Sequence, residues 1–441
     1  MDAFIIEGGR RLSGRLRVNG SKNSALPILA AALLTDQPVN LLSVPRLADI
    51  ANMRKLLAEL GCDVEEAGEG GALRLKVRDE SASSARYDIV RTMRASICVL
   101  GPLLARRGLA RVSMPGGCAI GDRPVDIHLR GLAALGAEIS LESGDIVARA
   151  PKGGRLKGTR IFLGGPFGPT VLGTANVMSA AALAHGTTVI ESAACEPEVA
   201  DLADLLNKMG AHIRGAGTPR IVIEGVKELH GATHEVIPDR IEAGTYMCAA
   251  AITNGQVILD NCPVDALMAA QDRLEHVGVH FRLLENPPRD AMRASVEITC
   301  DRNLRPIEVT TQPHPGFPTD LQAQLMAMLC LADGNSVVTE RIYPQRFLHV
   351  PELARMGAQL FHQGPTVVVS GVKQLVGAPV MASDLRASAS LIIAGLAAKG
   401  RTTVRRVYHL DRGYERMEDR LNALGASIER IDEKELTAMP E

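Results

Sequence analysis

One short pattern, an apolar helix that ends at a glycine and is followed at once by a strand, recurs six times in the 441 residues. The copies are LAELGCDV (57–64), LAALGAEI (132–139), LNKMGAHI (206–213), LEHVGVHF (274–281), LARMGAQL (353–360) and LNALGASI (421–428). A glycine just past the last turn takes the left-handed conformation that caps a helix. The sequence therefore predicts six capped helices, whose glycines are Gly61, Gly136, Gly210, Gly278, Gly357 and Gly425.

A second pattern repeats in phase with the first. It is an Ala/Leu-rich helix, a turn and a β-branched strand, as in SAAALAHGTTVIES, CAAAITNGQVILDN, LMAMLCLADGNSVVTE and IIAGLAAKGRTTVRRV. The period of 68 to 79 residues between the capping glycines is longer than that of the usual solenoids, which is about 20 to 50. Alternating helices and strands in every unit predict a small α/β module, and six modules divide into two domains of three.

Composition excludes several classes of protein. Lys and Arg number 49 against 50 Asp and Glu, so no overall charge favours nucleic acid or an anionic membrane. The chain start, MDAFIIEGGRRLSG, lacks the pattern of a signal peptide, and no apolar run reaches the roughly 18 to 20 residues that span a bilayer. We therefore expect a cytoplasmic protein without membrane insertion. The eight cysteines form no CxxC pair and no zinc spacing, so free thiols and no metal or other cofactor are expected.

One cysteine stands apart from the other seven. The segment VSMPGGCAIGDRPVD places Cys118 among glycines and prolines that resist helix and strand, which predicts a mobile surface loop. A spectator thiol is one interpretation. Arg123 would depress the pKa of Cys118 and Asp122 would oppose that effect, so the segment alone leaves a reactive thiol equally open.

Charged and polar residues gather near the predicted starts of the apolar helices. They are Lys22 and Asn23, Arg91 and Arg94, Arg123, Asp126 and His128, Asp239, Arg240 and Glu242, Thr319 and Asp320, Arg346, Asp384 and Arg386, and His409, Asp411, Arg412 and Arg416. Helix starts already favour anions, and added Lys and Arg predict a ligand with several negative charges. The alternative for any single residue is a helix cap or a solvated surface charge.

Eight segments together carry a resemblance to a known family. They read SKNSALPILAAALL, RTMRAS, PGGCAIGDRPVD, IPDRIEAGT, HPGFPTDLQAQ, RFLHVPELARMGA, ASDLRASASL and HLDRGYERMEDRLNALGA. From about residue 1 to 431 the chain resembles the enolpyruvyl transferases that act on UDP-N-acetylglucosamine at the first step of peptidoglycan synthesis. The resemblance implies an α/β (α+β) fold of two inside-out α/β barrels, each made of three βαβαββ units. One domain would hold residues 22–237 and the other residues 1–21 and 238–441, with the active site in the cleft between them.

The resemblance also implies a reaction and roles for the residues. Phosphoenolpyruvate would pass its enolpyruvyl group to the 3′-hydroxyl of the sugar and lose phosphate through a tetrahedral intermediate. Cys118 would protonate C3, Asp320 would accept the hydroxyl proton, and Lys22, Arg123 and Arg412 would clamp the phosphate and carboxylate. A thiol on a mobile loop can close over bound substrates and leave again, which explains its unusual setting.

The remaining site residues are matched by position in the family motifs. Asn23 would lie at phosphoenolpyruvate; Arg94, Arg123, Pro124, Val125, Asp126, Ile127, Asp320 and Ile342 would contact the nucleotide sugar; and Arg346, Asp384, Arg386 and Asp239 would support the site. One segment departs from the family, because GPFGPTVLGTANVM lacks the lysine of a Lys-x-Ser-x-Gly run. Thr170, Val171 and Gly173 would remain there as hydroxyl and backbone donors.

Two other functions compete with this interpretation. The first is the enolpyruvyl transferase that acts on shikimate 3-phosphate, whose catalytic loop lacks the cysteine. The second is a repeat protein that binds anionic metabolites or partner proteins without catalysis. Cys118, Asp320 and the cationic residues occur together in this chain, and a non-catalytic binder has no need of an acid and a base beside one anion site.

Replacing Cys118 tests its assignment as the acid. We expect Cys118→Ser to abolish phosphate release or nearly so, because a hydroxyl is a far poorer proton donor than a thiol. Cys118→Asp should keep activity and lose sensitivity to thiol-alkylating epoxides. Full activity of the serine variant in a phosphate-release assay would contradict the assignment.

Overall fold

The computed structural model describes residues 2–68, 70–115, 125–285, 288–301 and 303–436. The helices are α1 (Lys22–Ala31), α2 (Ala48–Glu59), α3 (Tyr87–Val90), α4 (Leu100–Arg107), α5 (Asp126–Ala134), α6 (Val171–Ala181), α7 (Pro197–Lys208), α8 (Arg240–Ile252), α9 (Met268–Val277), α10 (Gln322–Leu329), α11 (Val350–Arg355), α12 (Leu385–Ala397), α13 (Met417–Ala423) and α14 (Glu433–Leu436). Short 3₁₀ helices cover Ala32–Leu34, Arg94–Val99, Val264–Leu267, Thr319–Leu321 and Val407–Arg412.

Most strands are short, as expected for repeated small modules. They are β1 (Asp2–Glu7), β2 (Ser13–Arg17), β3 (Val39–Leu42), β4 (Cys62–Glu66), β5 (Leu73–Val77), β6 (Ser84–Ala85), β7 (Leu109–Ser113), β8 (Glu138–Glu142), β9 (Asp145–Arg149), β10 (Arg160–Phe162), β11 (Gly164–Gly165), β12 (Gly168–Pro169), β13 (Thr187–Glu191), β14 (His212–Arg214), β15 (Arg220–Glu224), β16 (Thr233–Glu235), β17 (Gln256–Cys262), β18 (Val279–Leu283), β19 (Ala294–Cys300), β20 (Glu308–Thr310), β21 (Asn335–Thr339), β22 (Gln359–Gln363), β23 (Thr366–Ser370), β24 (Pro379–Met381), β25 (Arg401–Arg405) and β26 (Ile428–Asp432).

The described residues divide into two compact units. The inserted unit holds the described residues of 20–115 and 125–237, and the terminal unit holds those of 2–19 and 238–436. Each unit contains three four-stranded sheets. In all six sheets one strand pair is parallel and the other two pairs are antiparallel, as in β10-β13-β15-β14. Three of the sheets form the expected strand–helix–strand–helix–hairpin module along a continuous stretch of chain, and the other three have the same pairing with one strand supplied from a distant segment, so the six-unit prediction is confirmed.

Three sheets are completed by strands that are distant in sequence. Strand β1 pairs with β25 and β26, β2 pairs with β17, and β16 pairs with β3. The terminal unit therefore starts at the amino terminus, is interrupted by the inserted unit, and resumes at residue 238. Within the described residues, no strand ladder joins one four-stranded sheet to another.

In each unit three helices lie inside and the sheets lie outside them. The inner helices are α1, α4 and α6 in the inserted unit, where α6 packs against both of the others, and α8, α10 and α12 in the terminal unit, where each packs against the other two. All 13 residues of α8 and all eight of α10 are buried, whereas the outer helix α2 buries only one face. The Ala-rich sequences allow this close packing, because small side chains let three helices share one core.

The predicted capping glycines are confirmed. All six have left-handed backbone angles, with φ between 74° and 112°. At Gly61 a Cβ atom would lie 2.2 Å from the carbonyl oxygen of Asp79, while at Gly136 the nearest atom would be Cγ of Pro151 at 3.8 Å. Both glycines avoid backbone strain, and Gly61 in addition fills a space too small for a methyl group. No helix in the described ranges combines the length and hydropathy needed to cross a membrane.

A pair of alanine variants separates these two roles of glycine. We expect Gly136→Ala to cost about 1 kcal/mol of stability through backbone strain alone. Gly61→Ala should cost at least ~1 kcal/mol more, because its methyl group displaces a backbone carbonyl. Thermal unfolding of the full chain measures the difference. Equal losses of Tm for the two variants would contradict the steric explanation.

Candidate active site

The matched site residues of the inserted unit begin with the first turn of α1. Ser21 caps this helix, since its Oγ accepts a hydrogen bond from the backbone N–H of Ser24 at 3.3 Å. Lys22 and Asn23 are the first two helical residues. The side chain of Lys22 is 10% exposed, and its Nζ lies 3.1 Å from Oδ2 of Asp49 in the first turn of α2. This ion pair holds a buried ammonium group at a helix start, where the backbone already favours anions.

The second matched group of this unit lies around the start of α5. Arg94 opens its 3₁₀ helix and is half-buried, while Val125 is buried, Asp126 is exposed and Ile127 is half-buried. His128 is buried, and Asn176 Nδ2 lies 3.0 Å from its Nδ1. Burial and the charge of Arg94 lower the pKa of His128 to about 4, so the ring is neutral at pH 7. An amide donor at Nδ1 leaves the proton on Nε2.

The segment that departs from the family forms a two-residue ribbon and a helix cap. Strands β11 and β12 pair antiparallel, and Arg130 donates to the carbonyl oxygen of Gly164 at 2.8 Å. Thr170 caps α6 by accepting from the N–H of Gly173 at 3.2 Å. The Gly173 N–H is therefore already used by the protein, which corrects its expected role as a donor to a ligand. The guanidinium of Arg130 brings a positive charge to the segment that lacks the lysine.

Asp320 occupies the centre of the matched residues in the terminal unit. It lies in the 3₁₀ helix before α10, and its two carboxylate oxygens accept from different arginines. Arg346 Nη1 is 2.7 Å from Oδ1, and Arg386 Nη2 is 3.0 Å from Oδ2. Burial alone would raise the pKa of Asp320, but the two guanidinium groups outweigh it and hold the pKa well below its ordinary value. Asp320 is therefore ionised at every physiological pH.

A buried network of polar side chains holds Arg386 and Asp320 in this arrangement. Arg386 Nη1 donates to the Tyr414 hydroxyl at 3.1 Å, and that hydroxyl lies 2.8 Å from Oγ1 of Thr245. Gln324 Nε2 donates to Thr245 and to the backbone carbonyl of Asp320 at 3.1 and 2.9 Å. Sequence reasoning missed Tyr414, Gln324 and Thr245, because each reads as an ordinary core or helix residue.

Two aspartates matched as supporting residues serve as helix caps. Asp384 Oδ1 accepts from the backbone N–H groups of Arg386 and Ala387, and thereby starts α12. Asp239 caps α8 in the same way. The starts of α10 and α12 lie together, since Asp320 and Arg386 are in direct contact, and the charge of Asp239 also acts on Arg386. All three inner helices of this unit thus begin beside the same charged cluster.

Ile342 lies in a turn that a buried glutamate organises. Glu340 is fully buried, and its Oε1 accepts from the backbone N–H groups of Ile342 and Tyr343 at 2.8 and 2.9 Å. Sequence reasoning missed Glu340, which follows strand β21 without any local motif.

Arg412 ends the last 3₁₀ helix and is half-buried. The preceding residue, Asp411, accepts two hydrogen bonds from Arg430 at 2.6 and 3.0 Å. A two-point contact of this kind fixes orientation as well as distance. The backbone that carries Arg412 is therefore held by a charge pair from strand β26.

The structure brings Asp320, Arg346, Arg386, Asp384 and Asp239 into one cluster, and Lys22 into contact with Asp49. Cys118, Arg123 and Pro124 lie outside the described residues.

Comparison with known proteins extends over nearly the whole chain. The family model described as EPSP synthase (3-phosphoshikimate 1-carboxyvinyltransferase) matches residues 6–421. A UDP-N-acetylglucosamine 1-carboxyvinyltransferase of Gluconacetobacter diazotrophicus is 55% identical over 434 residues, which cover 98% of this chain and 100% of the relative. One of the same name from Novosphingobium aromaticivorans is 52% identical over 436 residues, covering 98% and 99%.

Two solved structures share the fold. The enolpyruvyl transferase NikO from Streptomyces tendae superposes with a TM-score of 0.86 at 27% identity, covering 98% of this chain and 99% of its own. EPSP synthase from Acinetobacter baumannii gives 0.75 at 18% identity, covering 98% and 100%. These similarities confirm the predicted fold class of inside-out α/β units.

Glu242, a buried carboxylate in helix α8, should make the stability of the protein depend on pH. Its carboxylate accepts from the backbone N–H of Asn19 at 2.7 Å and lies 3.5 Å from Arg420. Burial raises its pKa to about 7, with Arg420 opposing the shift. A raised pKa in the folded state gives stability that is complete below about pH 4 and is lost as the pH rises through about 7.

We therefore expect the Tm of the full chain to fall between pH 5 and pH 8 by more in the wild type than in Glu242→Gln, which cannot ionise. Glu308→Gln, at an exposed position in strand β20, is the control and should behave as the wild type. The same pH dependence in Glu242→Gln and the wild type would contradict the raised pKa.

Proposed function

Because the chain belongs to the EPSP synthase (3-phosphoshikimate 1-carboxyvinyltransferase) family, we propose that it transfers the enolpyruvyl group of phosphoenolpyruvate to UDP-N-acetylglucosamine and releases phosphate. The acceptor follows from the relatives that share half or more of its residues along nearly the full length, which are named for this sugar nucleotide. The reaction is the first committed step of peptidoglycan synthesis. Both substrates are cytoplasmic metabolites, and we propose the cytoplasm as the site of action.

The state of Asp320 is the structural observation that best supports this chemistry. An acceptor hydroxyl must lose its proton as its oxygen bonds to C2 of phosphoenolpyruvate. Asp320 is ionised and can accept that proton, but the arginines that lower its pKa also make it a weak base. Proton transfer therefore comes late, when the C–O bond is nearly formed and the hydroxyl has become acidic.

Attack at C2 also needs a proton at C3, which we assign to the Cys118 thiol. Addition then gives a tetrahedral centre at C2 that carries the sugar oxygen, the carboxylate, the phosphate and a methyl group. Loss of a proton from that methyl group and cleavage of the C–O bond to phosphate restore the double bond. The products are the enolpyruvyl ether and inorganic phosphate, and the overall reaction involves no net oxidation or reduction.

Fixed positive charge stabilises the two anionic groups of phosphoenolpyruvate. We assign Lys22, Arg123 and Arg412 to this role, with Asn23 beside them. The Lys22–Asp49 pair supports the assignment, because a partnered ammonium stays charged although little of it is exposed. Charge that is already oriented before the reaction costs no reorganisation as phosphate departs.

The nucleotide sugar is assigned to Arg94, the segment 123–127, Asp320 and Ile342. Arg130 supplies a positive charge near the ribbon that lacks the family lysine, and Thr170 keeps a hydroxyl there. Arg346, Arg386, Asp384 and Asp239 support Asp320 and the helix starts around it. The substrates are thus small anions, and the balanced net charge gives no reason to add nucleic acid as a partner.

Release of inorganic phosphate from phosphoenolpyruvate tests the proposed function. The purified chain is assayed with UDP-N-acetylglucosamine or with shikimate 3-phosphate, with divalent metals chelated throughout. We expect release only with the nucleotide sugar. Release only with shikimate 3-phosphate would assign the chain to the other acceptor, and no release with either would support a non-catalytic binder.

Asp320→Asn tests the assignment of the base in the same assay. The amide keeps nearly the shape of the carboxylate but cannot take the proton, so we expect retained binding of UDP-N-acetylglucosamine and a loss of kcat of about 100-fold or more. Calorimetric titration measures the binding. Loss of binding with kcat retained would identify Asp320 as a positioning residue.

A further inference from the structure

Glu340 is a fully buried carboxylate to which the proposed reaction gives no role. It directly follows strand β21, at the end of the sheet where Asp320 and Ile342 also lie. A buried carboxylate is costly unless its oxygens accept several hydrogen bonds. Glu340 accepts four, and they lead to two different parts of the proposed site.

The first set of contacts fixes the turn that carries Ile342. Besides the N–H groups of Ile342 and Tyr343, Oε1 accepts from the hydroxyl of Thr311 at 2.7 Å. Thr311 Oγ1 in turn accepts from the N–H of Arg341 at 2.9 Å. Since the Ile342 N–H is already bonded to Glu340, any contact of Ile342 with a nucleotide sugar uses its carbonyl group or its side chain.

The second set of contacts leads to Asp320. Oε2 of Glu340 accepts from the hydroxyl of Thr319 at 2.9 Å, which commits the single proton of that hydroxyl. The Thr319 oxygen is then an acceptor for Arg346 Nη1, at 3.0 Å. The same Nη1 donates to Asp320 Oδ1 at 2.7 Å. The orientation of Arg346, and with it that of Asp320, thus depends on which way the Thr319 hydroxyl points.

We propose that Glu340 is a positioning residue that holds the Ile342 turn and the Thr319–Asp320 segment in fixed register. This inference rests on the proposed function, because the register matters only if the sugar bound at Ile342 must present its hydroxyl to Asp320. A misplacement of about 1 Å between reacting groups lowers rates by about 100-fold, so a shared carboxylate is an effective way to set their distance.

Variants separate the two sets of contacts. Thr319→Val keeps the shape of the side chain and removes only the link towards Asp320, whereas Thr319→Ser keeps the hydroxyl. In Glu340→Gln the amide oxygen can still accept from the backbone N–H groups, but the amino group cannot accept the Thr319 proton. Thr339→Val, on the adjacent residue, is the matched control, because its hydroxyl pairs with Thr366 and not with Glu340.

We measure kcat by phosphate release and the Kd for UDP-N-acetylglucosamine by calorimetry, in the full chain and with Tm recorded. Thr319→Val and Glu340→Gln should each lower kcat by about tenfold or more and leave Kd within about twofold. The double variant should lose no more than about twofold beyond Thr319→Val, because both changes cut the same link. Thr319→Ser and Thr339→Val should retain kcat within about threefold of the wild type.

Unchanged kcat in Thr319→Val, or kcat and Kd that worsen together in step with Tm, would overturn the positioning role while phosphate release by the wild type upholds the proposed function. No release by the wild type would overturn the proposed function and this inference with it.

Discussion

The rest of the structure depends on three helices packed inside each unit, of which α8 and α10 are completely buried and the other four largely so. A helix start has N–H groups without partners in the helix, and a buried start must find them elsewhere. Ser21 and Thr170 each accept from one such group, and Asp239 and Asp384 each accept from two, at the starts of four of the six inner helices. Polar residues are thus required at the N-terminal ends of the inner helices, where the helix dipoles also favour anions.

The residues proposed to act in catalysis can occupy these positions because the scaffold already needs charge there. Asp320 is the clearest case, since it opens α10 and is held by arginines from a loop and from α12. The ion pairs keep the carboxylate charged despite its burial, and Tyr414 and Gln324 keep the arginine and the backbone in place. Stability and the proposed reactivity are coupled here: the ion pairs that stabilise the half-buried Asp320 carboxylate also lower its pKa and so make it a weak base.

The repeated part of the fold was predictable because its signals are local. A glycine at the end of a helix has a conformational cause that acts within a few residues, and six such glycines were enough to count the modules. The pairing of β1 with β25 and β26, and of β16 with β3, was not predictable in this way. Those strands find partners about 190 to 430 residues away, and no local pattern records the pairing.

The same distinction between local signals and distant partners applies to the residues of the candidate site. The charged residues at helix starts were visible as breaks in apolar runs, and family motifs supplied their roles. Asp49, Glu340 and Tyr414 were missed because their importance comes from tertiary partners: a lysine, a threonine pair with a turn, and an arginine. Gly173 was misjudged for the same reason, since the sequence does not show that Thr170 already uses its N–H.

The most direct test of addition followed by elimination is to run the reaction in heavy water and examine the product by proton and deuterium NMR. Protonation at C3 makes a methyl group that contains one solvent deuterium, and elimination then removes any one of its three hydrogens. Deuterium in the vinyl position of the enolpyruvyl ether is therefore the expected result. A product formed at full rate with no deuterium in that position would contradict the mechanism and the proposed role of Cys118 as the acid.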